Sequence, residues 1–212
     1  MSVLATKLAA GIAESHIDID LQAQEKMLNY LSLLQKWNKV YNLTAVRDPL
    51  DMVTLHILDS LSVLPRIRCK RILDVGAGAG LPGIVLAICL PDLQVTTIDT
   101  VQKKAIFMRQ VKGELGLSNL TVVHDRVENY SPQEKFDVII SRAFSEIGLF
   151  VKLTKHLLKD DGKWFAMKGV IPVHEFESSD LLPSEIIALN VPGLEAERHL
   201  VVIEKSGKNR EN

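Results

Sequence analysis

From Arg71 onward the chain alternates short apolar runs with longer amphipathic ones, and four glycines fall in the first crossing between them. RILDVG reads as a strand running into the glycines, and PGIVLAICL as a helix opened by Pro82. QVTTID is a second strand, and QKKAIFMRQVKGEL (102–115) a second helix. LTVVH and KFDVIIS follow as strands, then a helix near 147–158, the strand KWFAMK and two more candidate strands near 185–191 and 199–204. Strands alternating with helices of this length predict an α/β fold, a mostly parallel sheet with helices on both faces and right-handed crossovers. The last two strand-like runs are joined by a Pro-Gly segment, which points to an antiparallel hairpin at the end of the sheet.

The first third of the chain has a different texture. Met27, Tyr30, Leu31, Leu34, Trp37 and Tyr41 recur at steps of three and four, one wide apolar helical face. Asn42-Leu43-Thr44 breaks it. Asp48-Pro49 then has the form of a helix start, an N-cap acid followed by proline at the first helical position. Leu50, Val53, Ile57, Leu61 and Leu64 make its buried stripe, which Pro65 ends. The expected organisation is a helical extension over 1–65, the α/β domain over 66–206 and a frayed tail over 207–212.

A chain of 212 residues buries roughly 68–75% of its extended surface and needs neither disulfides nor a structural metal to hold a core. Cys69 and Cys89 form no C-x-x-C pair and read as reduced thiols of a cytosolic protein. His124, His156, His174 and His199 have no metal-ligand spacing, so no metal is expected. The start, MSVLATKLAAGIAESH, is interrupted by Lys7 and Glu14 and does not read as a signal peptide. With no run near the ~20 apolar residues of a membrane span, a soluble cytoplasmic protein, a monomer, is expected. A net charge of −1 excludes binding to nucleic acid through bulk positive charge, though not through a local patch.

The glycine loop is the strongest chemical signal. It spans Asp74-Val75-Gly76-Ala77-Gly78-Ala79-Gly80-Leu81-Pro82-Gly83, between a strand and a helix. Glycines there permit tight turns and close approach of a ligand, and the following helix start offers N–H groups. Asp99 ends the second strand, where a carboxylate can accept the hydroxyls of a ribose. Together these predict an adenosine cofactor. The dinucleotide fingerprint needs glycine where this chain has Leu81. The pattern and the closing hairpin favour S-adenosylmethionine over a nicotinamide dinucleotide.

The chain also resembles a known family over nearly its full length. Lys36-Trp37-Asn38-Lys39, Tyr41-Asn42-Leu43-Thr44, Arg47-Asp48-Pro49 and His56-Ile57-Leu58-Asp59-Ser60 are similar to the front end of the RsmG (GidB) family. DVGAGAGLPG, FDVIISRAF, Met167-Lys168-Gly169 and Glu197-Arg198-His199-Leu200 extend the match. The resemblance implies a Rossmann-like class I methyltransferase domain with S-adenosylmethionine as donor. It also implies methylation of ring nitrogen 7 of one guanosine in 16S ribosomal RNA, as part of a small ribosomal subunit or an assembly intermediate. Carried over by position, it places cofactor contacts at Gly76, Leu81, Val127, Glu128 and Arg142, beside Gly78 and Asp99 from the loop reading. Where the family commonly has arginine before the histidine of the second helix, this chain has Leu55.

Nitrogen 7 of guanine carries an in-plane lone pair and no proton, so the reaction requires no general base. Arginine usually grips guanine through nitrogen 7 and the six-carbonyl together, so Arg142 is expected on the cofactor, a phosphate or the carbonyl alone. Lys36, Lys39 and Arg47 are the expected phosphate contacts. Further cations lie at Arg66, Arg68, Lys70 and Arg71, and at Lys103, Lys104, Arg109 and Lys112. Trp37 and Tyr41 read first as core. His56, Asp59 and Ser60 have the residue types of a hydrolase triad but sit on one helix, where that geometry is not available; His56 and Asp59 are expected to pair across a turn. The competing readings are a small-molecule methyltransferase, a nicotinamide-dependent oxidoreductase and an RNA-binding cofactor sensor.

Overall fold

A computed structural model describes residues 2–142, 144, 146–171, 173–178 and 182–205. The anticipated tail, 207–212, lies outside the described residues. Seven strands form one sheet: β1 (Arg71–Val75), β2 (Gln94–Asp99), β3 (Leu120–His124), β4 (Phe136–Ser141), β5 (Leu158–Lys168), β6 (Glu185–Ala188) and β7 (His199–Glu204). Their order across the sheet is β3-β2-β1-β4-β5-β7-β6. The first five pair in parallel, and β7 is antiparallel to both β5 and β6. The mostly parallel sheet with an antiparallel end is the one the sequence predicts.

The alternation of side chains along each strand divides the core in two. Ile72, Val138, Ile140, Phe165, Met167, Leu200 and Val202 face one layer. Leu73, Ile139, Trp164, Ala166, Val201 and Ile203 face the other. Burial on both faces explains why the central strands read as unbroken apolar runs. The second layer is closed by α7 (Ile147–Thr154), whose Phe150 and Val151 are buried against it. Trp164 is held there by donating Nε1–H to Thr154 Oγ1 at 2.8 Å.

The first layer holds α5 (Gly83–Cys89), α6 (Gln102–Leu115) and the N-terminal helices: α1 (Val3–Glu14), α2 (Leu21–Tyr41), α3 (Pro49–Met52) and α4 (Asp59–Leu61). Leu8, Met27, Tyr30, Leu31 and Leu34 are fully buried within it, so the helical extension shares the core of the sheet. Capping sets the ends of these helices. Asp20 accepts from Ala23 N at 2.6 Å, and Asp48 from Leu50 N at 2.7 Å with Pro49 at the first position. Asn42 ends α2 in the left-handed region at φ 49°. A short helix, α8 (Val173–Ser178), completes the set.

The second helix of the extension differs from its expected single run. Between α3 and α4 the residues Val53–Leu58 form a π-helical turn. Such widened turns recur at functional sites, and this one carries Leu55 and His56. β5 also starts earlier than KWFAMK indicates, because Lys159 pairs with Asp137 of β4 at 2.6 Å and carries the strand through charged residues.

Candidate active site

The carboxyl ends of β1, β2, β3, β4 and β5 open on one side of the sheet, the crevice where open α/β sheets bind ligands. The glycine loop after β1 starts there. Gly76, Gly78 and Gly80 have φ of 67°, 61° and 95°, backbone that side chains rarely adopt. Two buried acids tether the loop. Asp99 Oδ2 accepts from Gly78 N at 2.8 Å, and Asp74 Oδ2 from Gly83 N at 2.8 Å. The second bond caps the start of α5. Asp74 is fully buried and its Oδ1 has no hydrogen-bond partner among the described residues. Burial pushes its carboxyl up to about 7, against the opposing pull of the Gly83 amide and Arg142.

Three cavities run in series along the crevice. The first, about 430 Å³, has apolar walls from Ile98, Val127, Phe144 and Leu153, with Asp99, Asp125 and Glu128 beside them. The second, about 150 Å³, is floored by the glycine loop and walled by Leu43, Thr44, Leu81, His56 and Arg142. Gly76 and Lys104 line both. The third, about 400 Å³, is lined by Val46, Leu55, Asp59, Met167, Lys168, Gly169 and Arg198, and shares His56 and Arg142 with the second.

His56 therefore stands between the second and third cavities, 5% exposed. Its Nε2 lies 3.0 Å from Thr44 Oγ1, and its Nδ1 has no partner among the described residues. Burial first, then the neighbouring Arg142 charge, lowers its pKa to about 4, so the imidazole is neutral at physiological pH. Asp59 does not pair with it, contrary to expectation. Asp59 Oδ2 accepts from Arg142 Nη1 at 3.1 Å, and Oδ1 from Arg198 Nε at 3.1 Å. Arg142 Nη1 also donates to the Leu55 carbonyl of the π-helical turn at 3.0 Å. The carboxylate thus ties the helical extension to β4 and to the approach of β7, the fastening role expected of a His56–Asp59 pair.

A model of the family described as "GidB: rRNA small subunit methyltransferase G" matches residues 23–201. The chain is also 63% identical over 197 residues to "Ribosomal RNA small subunit methyltransferase G" of Methylobacillus flagellatus, covering 93% of this chain and 96% of that protein. The chain belongs to the GidB family. Solved structures under a quarter identical share its fold. A putative O-methyltransferase from Klebsiella pneumoniae superposes with a TM-score of 0.62 at 17% identity, over 97% of this chain and 100% of that one. A Burkholderia thailandensis 1,6-didemethyltoxoflavin-N1-methyltransferase, solved with S-adenosylhomocysteine bound, gives 0.56 at 14% identity over 85% and 90%. The sheet is that of the class I S-adenosylmethionine-dependent methyltransferases.

The sequence-predicted contacts of this GidB member converge only in part. Gly76, Asp99, Val127 and Glu128 line the first cavity; Gly76, Gly78, Leu81 and Arg142 line the second. Asp99 already accepts one backbone amide on each oxygen, from Gly78 and from Val101 at 2.8 Å. Ionised, it keeps lone pairs for a ligand hydroxyl. Glu128 bonds Arg126 Nη2 through Oε1 at 2.9 Å; its own backbone amide and then Arg126 hold its carboxyl below the usual range.

Lys36, Lys39 and Arg47 are exposed on the extension and line none of the three cavities. Lys39 and Arg47 border a separate hollow of about 280 Å³ with Asn38, Pro49 and Met52. Arg47 is engaged there, donating to Asn38 O at 3.2 Å and Asn42 Oδ1 at 2.7 Å, where it satisfies the end of α2. The Arg66–Arg71 cations sit at the amino edge of the sheet, away from the crevice, with Arg71 paired to Glu134 at 3.4 Å. Trp37 packs against Phe107 at 5.7 Å, and Tyr41, its ring tilted against Trp37 at 5.2 Å, is 44% exposed.

Sequence reasoning gave no role to Arg198 or Lys168, and named Lys104 only as one cation of a helix. Each lines the crevice. For Lys168 and Arg198 the available signal was position, a charged residue at or directly beside the end of an apolar strand; Lys104 lies inside α6 and had no such signal.

Proposed function

We propose that the protein transfers a methyl group from S-adenosylmethionine to ring nitrogen 7 of a guanosine in 16S ribosomal RNA, acting in the cytoplasm as a monomer. The reading is carried by the continuity of the three cavities: a cofactor seat over the glycine loop opens, past His56 and Arg142, into a second seat lined by arginines.

The donor set suits S-adenosylmethionine. Ile98, Val127, Phe144 and Leu153 offer an apolar slot for adenine, and Asp99 an acceptor for ribose hydroxyls. Above Gly78, the space a Cβ would take has no atom nearer than Gly76 O at 4.0 Å, so the backbone is open to the amino-acid end of the cofactor. Three carboxylates against Lys104 and Arg126 in the first cavity disfavour a pyrophosphate, which weighs against the nicotinamide alternative. When bound, the cofactor supplies an electrophilic methyl on a sulfonium.

This chain's contribution is alignment. Nitrogen 7 presents a lone pair, so no residue has to take a proton, and His56, kept neutral by burial, adds no cation beside a ring that becomes positive. Holding the two reactants in line is worth ~7–11 kcal/mol in favourable cases. Mapping modified guanosines in small-subunit RNA from cells with and without the gene tests the proposal. Loss of one 7-methylguanosine supports it; an unchanged modification map contradicts it.

A further inference from the structure

We infer that Asp59 is a positioning residue that holds Arg142 and Arg198 in place to bind a phosphate of the substrate RNA in the cavity beyond His56. This rests on the proposed reaction and adds to it the group that seats the target nucleotide.

Asp59 is 2% exposed, and its two oxygens take one guanidinium each, from residues 83 and 139 positions away along the chain. One arginine would neutralise the carboxylate. The second leaves the side chains that line this cavity with an excess positive charge, since Lys168 is itself paired with Glu175 at 3.2 Å and His56 carries none. Each guanidinium is fixed at two points: Arg142 by Asp59 and the Leu55 carbonyl, Arg198 by Asp59 and the Glu197 carbonyl at 2.9 Å.

Those contacts use Nη1 of Arg142, and Nε and Nη1 of Arg198. Nε and Nη2 of Arg142, and Nη2 of Arg198, have no acceptor among the described residues. Both side chains line the cavity and are 29% and 25% exposed. Preset planar forks with unused N–H groups match phosphate oxygens. A phosphodiester carries the single negative charge that the site lacks. The guanine ring is the wrong ligand for them, because a cation in its plane opposes the positive charge that methylation places there.

The test uses the full-length protein, small ribosomal subunits from cells lacking it, and the variants Asp59→Asn and Arg198→Gln. Subunit affinity is measured by equilibrium binding across a salt series, S-adenosylhomocysteine affinity by calorimetry. Both variants are expected to bind subunits about tenfold more weakly with cofactor affinity within twofold. Arg198→Gln is expected to flatten the slope of log affinity against log salt by about 0.7, the share of one phosphate on a single strand. An Arg198→Gln protein with wild-type subunit affinity and slope overturns the inference. So does an Asp59→Asn protein that loses cofactor and subunit affinity together, the sign of a merely structural carboxylate. If Asp59→Asn does not fold, Arg198→Gln decides alone. Because binding is read without turnover, a wild-type protein that binds subunits but transfers no methyl defeats the proposed reaction and leaves this result standing by itself.

Discussion

Tyr30, on α2 of the N-terminal extension, donates its hydroxyl to the carbonyl of Ala79 in the glycine loop, 3.0 Å away and out of contact with solvent. The extension therefore supports the loop from below as well as walling the crevice through Thr44 and His56. Tyr30→Phe keeps the ring, which lies 6.1 Å from Phe107, and strands the Ala79 carbonyl. The expected cost is about 1–2 kcal/mol of stability, a few degrees in Tm by thermal melting. A severalfold weaker S-adenosylhomocysteine affinity by calorimetry should accompany it.

Gly78 and Gly80 separate backbone strain from steric overlap. At Gly80 an added Cβ would lie 2.7 Å from Ile84 Cγ1 and 3.3 Å from Met108 Cγ, in a residue already at φ 95°. Gly80→Ala is expected to destabilise by about 2–4 kcal/mol. At Gly78 the same atom meets open space, so Gly78→Ala should lose only about 1–2 kcal/mol from its positive φ. Its larger effect should be on the cofactor, with S-adenosylhomocysteine affinity falling at least tenfold. Melting and calorimetry on both variants check the contrast.

Asp74 makes folding pH-dependent in a stated direction. Its carboxyl is raised to about 7 in the folded protein against ~3.9 when unfolded. The folded state thus holds a proton that the unfolded state has released. The associated stability is complete below the unfolded value and is lost as pH rises through 7. Between pH 6 and pH 8 the wild type should lose about 1.4 kcal/mol that Asp74→Asn, with no proton to release, keeps. Denaturant titration of both proteins at the two pH values checks this difference.

The strands and the glycine loop are legible because their signals are local: RILDVG, QVTTID and 102–115 match β1, β2 and α6 nearly residue for residue. What escapes is set by distant partners. No periodicity connects Asp59 with Arg198, so the nearest polar neighbour, His56, is the natural wrong partner. The π-helical turn looks like an ordinary helix in sequence, since one widened turn barely shifts an apolar stripe.

Chemistry without proton removal has its own signature. His56 titrates at about 4, and guanine nitrogen 7 is unprotonated throughout the neutral range. The single-turnover rate of methyl transfer should therefore stay within about twofold from pH 6.5 to pH 8.5 when donor and subunits are saturating. A tenfold rise per pH unit in stopped-time assays would point to a general base instead.

The most direct test is transfer itself. Purified protein, labelled S-adenosylmethionine and small ribosomal subunits from cells lacking the gene are incubated together, and nuclease fragments of the RNA are analysed by mass spectrometry. The account predicts one methyl group, on the imidazole ring of a single guanosine in 16S RNA. A methyl on another atom or base, or none at all while the cofactor binds, would contradict it.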